Sequence, residues 1–212
     1  MTMEIIDLGL TSYRDIWDLQ HKAQAEVIAG APERIYLTEH RDVYTLGKHG
    51  HMENMLALPA GAECIRIERG GDITYHGPGQ LVVYPIVDLF AHHLGVKKYV
   101  DCLEEAVIRT MAEYGLEGTR VEGATGVWMG VGTPVERKIC AIGVKVTRGV
   151  TMHGLALNVN TRLEGFRAIN PCGFVDKGVT SLSRELGGTE VPMQQVKNKM
   201  ANHLITLLLK KD

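Results

Sequence analysis

The chain has 212 residues, of which 45% are hydrophobic, enough for one globular domain with room for a small C-terminal appendage. Its formal net charge of −2 argues against general nucleic-acid binding, which needs a basic excess to neutralise phosphate. Apolar runs such as residues 81–87 are too short to cross a bilayer.

The first residues, Met3-Glu4-Ile5-Ile6-Asp7-Leu8, alternate like a strand and carry no signal or transit pattern, so the expected compartment is the cytoplasm. Thr11 or Ser12 then caps a helix whose Tyr13, Ile16, Leu19, Ala23 and Val27 share one face, and Gly30-Ala31-Pro32 stops it. Strands are expected at 34–38, 43–46, 64–68, 73–76 and 81–87, where β-branched or alternating apolar residues lie between glycines and prolines. Residues 95–114 carry a helical stripe of Val96, Tyr99, Val100, Leu103, Val107, Met111 and Tyr114. Three more strands are expected at 126–131, 138–147 and 154–159, and Val191-Pro192 opens a last helix with Val196, Met200, Leu204, Leu207 and Leu208 on its apolar face. Strands in two groups with few helices between them predict an α+β domain with a mixed sheet. No linker marks a strong boundary, and the softest point lies near Leu182.

Four segments carry chemical signals. Arg69-Gly70-Gly71-Asp72-Ile73-Thr74-Tyr75-His76-Gly77-Pro78-Gly79-Gln80 holds four glycines, a cation and an imidazole in twelve residues, the composition of a strand–turn–strand whose backbone closes on a ligand. Cys172 lies between Pro171 and Gly173, which predicts a rigid exposed loop there. From the residues alone it is either a small apolar side chain or a nucleophile, whereas Cys64, Cys102 and Cys140 sit in apolar contexts. Lys138, at the mouth of an apolar strand, is either a solvated lysine or an ammonium that favours a nearby thiolate. His49-Gly50-His51 is weak evidence for a metal, no Cys-x-x-Cys occurs, and neither metal nor cofactor is expected; four free thiols are.

The Arg-Gly-Gly-x-x-Thr-x-His-x-Pro-Gly-Gln run, Arg137-Lys138-Ile139, Met152-His153-Gly154-Leu155-Ala156-Leu157-Asn158-Val159, Asn170-Pro171-Cys172-Gly173 and Val179-Thr180-Ser181-Leu182 resemble, in this order, the octanoyl-acyl-carrier-protein:protein octanoyltransferases, or lipoate-protein ligase B family. The likeness runs from about Leu46 to Leu186. It implies the biotin/lipoate protein ligase fold, an α+β mixed sheet with flanking helices and an acyl tunnel beside it. It also implies that Cys172 attacks octanoyl-acyl carrier protein to form a thioester, with Lys138 moving protons in both halves of the transfer. Arg69, Gly70, Gly71, Asp72, Ile73, Thr74, Tyr75 and His76, with Ala141, Ile142, Gly143, Gly154, Leu155 and Ala156, would line the acyl site. His76 is assigned to binding rather than to proton transfer.

The implied acceptors are lipoyl domains of 2-oxoacid dehydrogenase E2 subunits and the glycine cleavage H protein, with no nucleic acid, membrane or ATP involved. Lys97, Lys98, Arg137 and Arg148 are candidates for a basic face toward acidic carriers. The alternatives at this point are an ATP-dependent ligase, an amidotransferase between lipoyl carriers, and a non-catalytic acyl- or carrier-binding module.

Overall fold

A computed structural model describes residues 3–170 and 178–209. Among these, seven strands form a mixed sheet and three a smaller one. Strand β1 (Glu4–Thr11) leads through helix α1 (Tyr13–Ile28) to β2 (Arg34–His40), which lies parallel to β1. β3 (Val43–Leu46) leaves for the small sheet, parallel to β4 (Glu63–Arg66) and antiparallel to β5 (Ile73–His76). The chain re-enters the large sheet as β6 (Gln80–Ile86), antiparallel to β2. After helix α2 (Val96–Ala112) come β7 (Val127–Met129), β8 (Arg137–Thr147), β9 (Val150–Asn158), β10 (Gly178–Val179), the short helix α3 (Leu182–Glu185) and helix α4 (Met193–Leu208). The order across the large sheet is β1-β2-β6-β9-β8-β10, with β7 also on β8.

The period-2 geometry of a strand divides β6 between two cores. Leu81 and Val83 face α2 and α4, packing with Tyr99, Leu103, Val107, Met200 and Leu204. Val82, Tyr84 and Ile86 face α1, packing with Ile16, Ala23 and Val27. Leu182 is buried in the first of these cores, so the softest point in the sequence is a packed position. Among the described residues no helix is long and apolar enough to cross a membrane.

Three local differences from the expected pattern have physical causes. The buried face of α1 includes Gln20 and Gln24, while Leu19 is only half-buried. The two amides serve β9: Gln20 Oε1 accepts from the His153 amide at 2.9 Å, and Gln24 Nε2 donates to the Val150 carbonyl at 2.9 Å. β9 begins at Val150 rather than at Gly154, because the polar His153, at φ 61, breaks the apolar reading without ending the strand. The third difference lies in short elements: β10, α3 and the 3-10 turns at Met52–Asn54 and Leu163–Ala168 are too brief to leave a periodic signal.

Candidate active site

The glycine-rich run folds back across the sheet. Gly70 donates its amide to the Val144 carbonyl at 3.0 Å, which lays residues 69–71 over β8. The approach requires glycine at 143, since a Cβ there would stand 2.7 Å from the Gly70 carbonyl oxygen. Glycine at 154 answers a separate contact, with β6, where a Cβ would stand 2.1 Å from the Val83 carbonyl oxygen. Gly143 and Gly154 are register partners on β8 and β9, so the sheet is bare of side chains at that point.

Between the glycine loop, this bare patch and the entrance of α2 lies a cavity of about 470 Å3, within the range of about 300–1,000 Å3 typical of small-molecule sites. Residues 69–74 and His76, residues 141–143 and 154–156, and Lys138 all contribute to its walls. Tyr75, also expected in the lining, is not among the residues that form these walls. Thr74 and His76 share one face of β5 and Tyr75 takes the other. There its hydroxyl donates to Asp42 at 2.6 Å and its ring packs on Tyr44 and Phe166. Cys172 lies outside the described residues.

Lys138 stands opposite Trp128 in the β7–β8 register. Its Nζ sits 4.5 Å from the Trp128 ring centroid and donates to the Thr125 carbonyl at 3.1 Å. Trp128 is itself fixed, buried and donating its indole N–H to the Ala124 carbonyl at 2.9 Å. The ammonium is therefore held in the cavity wall by an aromatic face and a carbonyl. β10 runs parallel to β8 with Val179 opposite Lys138, and the Thr180 amide donates to the Lys138 carbonyl at 3.0 Å. Residues 178–180 thus pass beside Lys138.

A chain of side-chain hydrogen bonds crosses the site. Arg69 Nη2 donates to the Thr45 carbonyl at 2.7 Å and to Thr45 Oγ1 at 3.0 Å. Thr45 Oγ1 lies 3.3 Å from His76 Nε2, and His76 Nδ1 lies 2.7 Å from Gln80 Oε1. Gln80 Nε2 donates to Asn158 Oδ1 at 2.9 Å, and Asn158 Nδ2 to the Thr180 carbonyl at 2.9 Å. The Gln80 carbonyl oxygen only accepts, which assigns the His76 proton to Nδ1 and leaves Nε2 to accept from Thr45. Burial, followed by repulsion from His40, pushes the His76 pKa down to about 3. A neutral imidazole with both nitrogens engaged orients its neighbours and is no proton shuttle near pH 7.

Trp128 belongs to none of the sequence motifs, and only the β7–β8 register brings it under Lys138. The basic face loses one member: Arg137 is bound to the Glu185 carboxylate through Nε at 2.7 Å and Nη2 at 2.5 Å, whereas Lys97, Lys98 and Arg148 are exposed. Burial raises the Cys140 thiol far above its ordinary pKa and leaves it inert. Cys64, Cys102 and Cys140 are free thiols. Among the described residues no group of three or more His, Cys, Asp or Glu could hold a metal ion.

The sequence profile of the family described as the lipoyl protein ligase A/B catalytic domain matches residues 12–205. The chain is 51% identical to the octanoyltransferase of Bacteroides thetaiotaomicron, over 100% of this chain and 97% of that protein. The chain belongs to the octanoyltransferase family. The family resemblance in the motifs therefore holds across nearly the whole length, and a second octanoyltransferase, from Flavobacterium johnsoniae, is 49% identical over 97% of this chain and 96% of its own.

The fold agrees. It is similar to a structure of the Thermoplasma acidophilum lipoylation system, a bipartite lipoate protein ligase and its E2 lipoyl domain, with a TM-score of 0.73 at 19% identity, covering 100% of this chain and 87% of that one. The biotin protein ligase of Aquifex aeolicus aligns with a TM-score of 0.56 at 13% identity, over 98% of this chain and 69% of that one. The α+β fold is that of the biotin and lipoate protein ligases.

Proposed function

We propose that this acyltransferase carries an octanoyl group from octanoyl-acyl carrier protein to a lysine of a lipoyl domain, through an octanoyl thioester on Cys172. The observation that carries the reading is Lys138, an ammonium fixed by Trp128 and Thr125 in the wall of a cavity floored by Gly143 and Gly154. The glycines at 143 and 154 let neighbouring backbone close in on the sheet, which gives the cavity its floor. Burial of six methylenes at about 0.8 kcal/mol each contributes roughly 5 kcal/mol of binding.

In the first half-reaction the Cys172 thiolate attacks the donor carbonyl. The bond from that carbon to the phosphopantetheine sulfur breaks, and Lys138 as ammonium protonates the departing thiolate. In the second, the ε-amine of the acceptor lysine attacks the acyl-enzyme, neutral Lys138 takes the proton, and Cys172 leaves as thiolate while an amide forms. One thioester is exchanged for another and then for a more stable amide, so no nucleotide is consumed. The named octanoyltransferases at about half identity favour this route over ATP-dependent ligation.

The acceptors in this reading are lipoyl domains of E2 subunits and the glycine cleavage H protein. The chain acts in the cytoplasm as one catalytic domain spanning residues 1–212, and residues 69–71, 73, 74, 76, 141–143 and 154–156 contact the acyl group. The test is intact-mass analysis after mixing with octanoyl-acyl carrier protein, without ATP or acceptor. Wild type gains one octanoyl group and Cys172→Ala gains none; absence of the adduct in wild type would refute the thioester route.

A further inference from the structure

Asp72 lies in the cavity wall, yet both oxygens of its carboxylate accept hydrogen bonds from the protein. Oδ1 accepts from its neighbour's amide, Ile73 N, at 2.7 Å and from the His51 amide at 3.2 Å. Oδ2 accepts from Asn54 Nδ2 at 2.5 Å. Asn54 in turn offers its carbonyl to the Asn170 amide at 2.7 Å. Backbone bonds strengthen the same junction: Lys48 N donates to the Arg69 carbonyl at 2.9 Å, Gly47 N to the Asp72 carbonyl at 3.1 Å, and both Leu56 N and Ala57 N to the Ala168 carbonyl. Met55 also forms a bridge with Ile169. Residues 47–57 therefore connect the glycine-rich loop on one side to residues 168–170 on the other.

We propose that Asp72 is a positioning residue for the nucleophile: through Asn54 it holds Asn170, and so sets where the chain enters the segment that carries Cys172. Only Pro171 separates Asn170 from Cys172, a Cα–Cα reach of about 7 Å at most, so whatever fixes Asn170 limits where residue 172 can stand relative to the acyl cavity. The motif that marks the family leaves position 72 unspecified, and a carboxylate that already accepts from three protein donors is a poor neighbour for an alkyl chain. Its chemistry suits a bracket between the loop that shapes the acyl cavity and residues 168–170, which precede Cys172 in the chain. The inference rests on the reading of Cys172 as nucleophile.

The test is a single-turnover measurement of acylation by octanoyl-acyl carrier protein in the full chain, followed by quenched intact mass. Asp72→Asn keeps an oxygen for Ile73 and His51 but turns a donor toward the donor of Asn54. Asn54→Asp instead sets two carboxylates face to face. Each substitution alone is expected to lower the acylation rate about 10- to 100-fold, with the donor KM changed less than about threefold, because displacement of a reacting atom by an ångström costs rate rather than binding. The double exchange Asp72→Asn with Asn54→Asp restores one donor and one acceptor, and is expected to recover the rate to within about threefold of wild type. Wild-type acylation in Asp72→Asn, a loss residing wholly in KM, or a folded double exchange that recovers nothing would each overturn the proposal. If the double exchange does not fold, Asn54→Ala removes the same contact, and a wild-type rate there overturns it equally. Cys172→Ala, run beside these, separates the two levels: acylation that survives it sinks the nucleophile and the proposal together, whereas an inert Cys172→Ala with an unaffected Asp72→Asn sinks the proposal alone.

Discussion

The two buried histidines beneath the cavity make a quantitative prediction about acid stability. His40 is fully buried, with Nε2 2.8 Å from the Tyr84 hydroxyl and Nδ1 3.1 Å from Thr11 Oγ1, and its ring centroid lies 5.9 Å from that of His76. Burial pushes the His40 pKa down to about 4, and burial together with the neighbouring His40 pushes that of His76 down to about 3. In the unfolded chain both titrate near 6.5. Because the folded values lie below the unfolded one, the stabilising contribution is complete above about pH 6.5 and is lost as the pH falls toward the folded values. Between pH 7 and pH 5 each unfolded histidine takes up most of a proton that the folded one refuses, at 1.36 kcal/mol per unit, which comes to about 2 kcal/mol per site and about 4 kcal/mol for the pair. Folded values anywhere below about 4 give nearly the same answer at pH 5. Urea unfolding at the two pH values checks this: wild type is expected to lose about 2 kcal/mol more than His76→Gln, while contributions from groups common to both proteins cancel. Equal losses in the two proteins would refute the reasoning and place His76 in a hydrated, ordinarily titrating environment.

Three further outcomes follow from the site and its supports. Lys138→Met is expected to slow acylation about 10²- to 10⁴-fold with an unchanged melting temperature, and single-turnover mass analysis reads it. Gly143→Ala places a methyl 2.7 Å from the Gly70 carbonyl oxygen and 3.0 Å from Arg69 Cδ. It is expected to cost about 1–3 kcal/mol in denaturant unfolding and to weaken octanoyl binding by displacing the glycine loop. Glu33 accepts from the Asp88 amide at 2.7 Å and faces His92 Nε2 at 2.7 and 2.9 Å in a nearly buried pair. Glu33→Ala leaves both partners unsatisfied at the entrance to α2 and is expected to cost about 2–4 kcal/mol, measured by urea unfolding at pH 7.

Elements held together by a repeated pattern were legible in the sequence. α1, α2 and α4 repeat their apolar residues every three or four positions for four turns or more, and β3 and β5 fall between turn residues that permit little else. What escaped depends on partners distant in sequence. Gln20 and Gln24 read as breaks in an apolar stripe, yet they are the residues that satisfy the irregular backbone of β9. β10 is two residues long, and its identity as a strand comes entirely from pairing with β8.

At the site, the glycine-rich run 69–80 announced a close approach and the family resemblance put 143 and 154 in the lining, but only the structure shows that 143 and 154 meet each other and that the Gly70 carbonyl lies over the first of them. Tyr75 marks the opposite case. Strand alternation, already present in the sequence of β5, separates it from Thr74 and His76, and a family motif read as one continuous run passes over that separation. Asp72 carries the same lesson one step further. It lies within that run and in the cavity wall, but the donors around its carboxylate come from residues 51, 54 and 73, so its chemistry is directed at the chain. A motif locates a functional loop, and the hydrogen-bond partners of each side chain decide which of its residues face the substrate and which hold the loop in place.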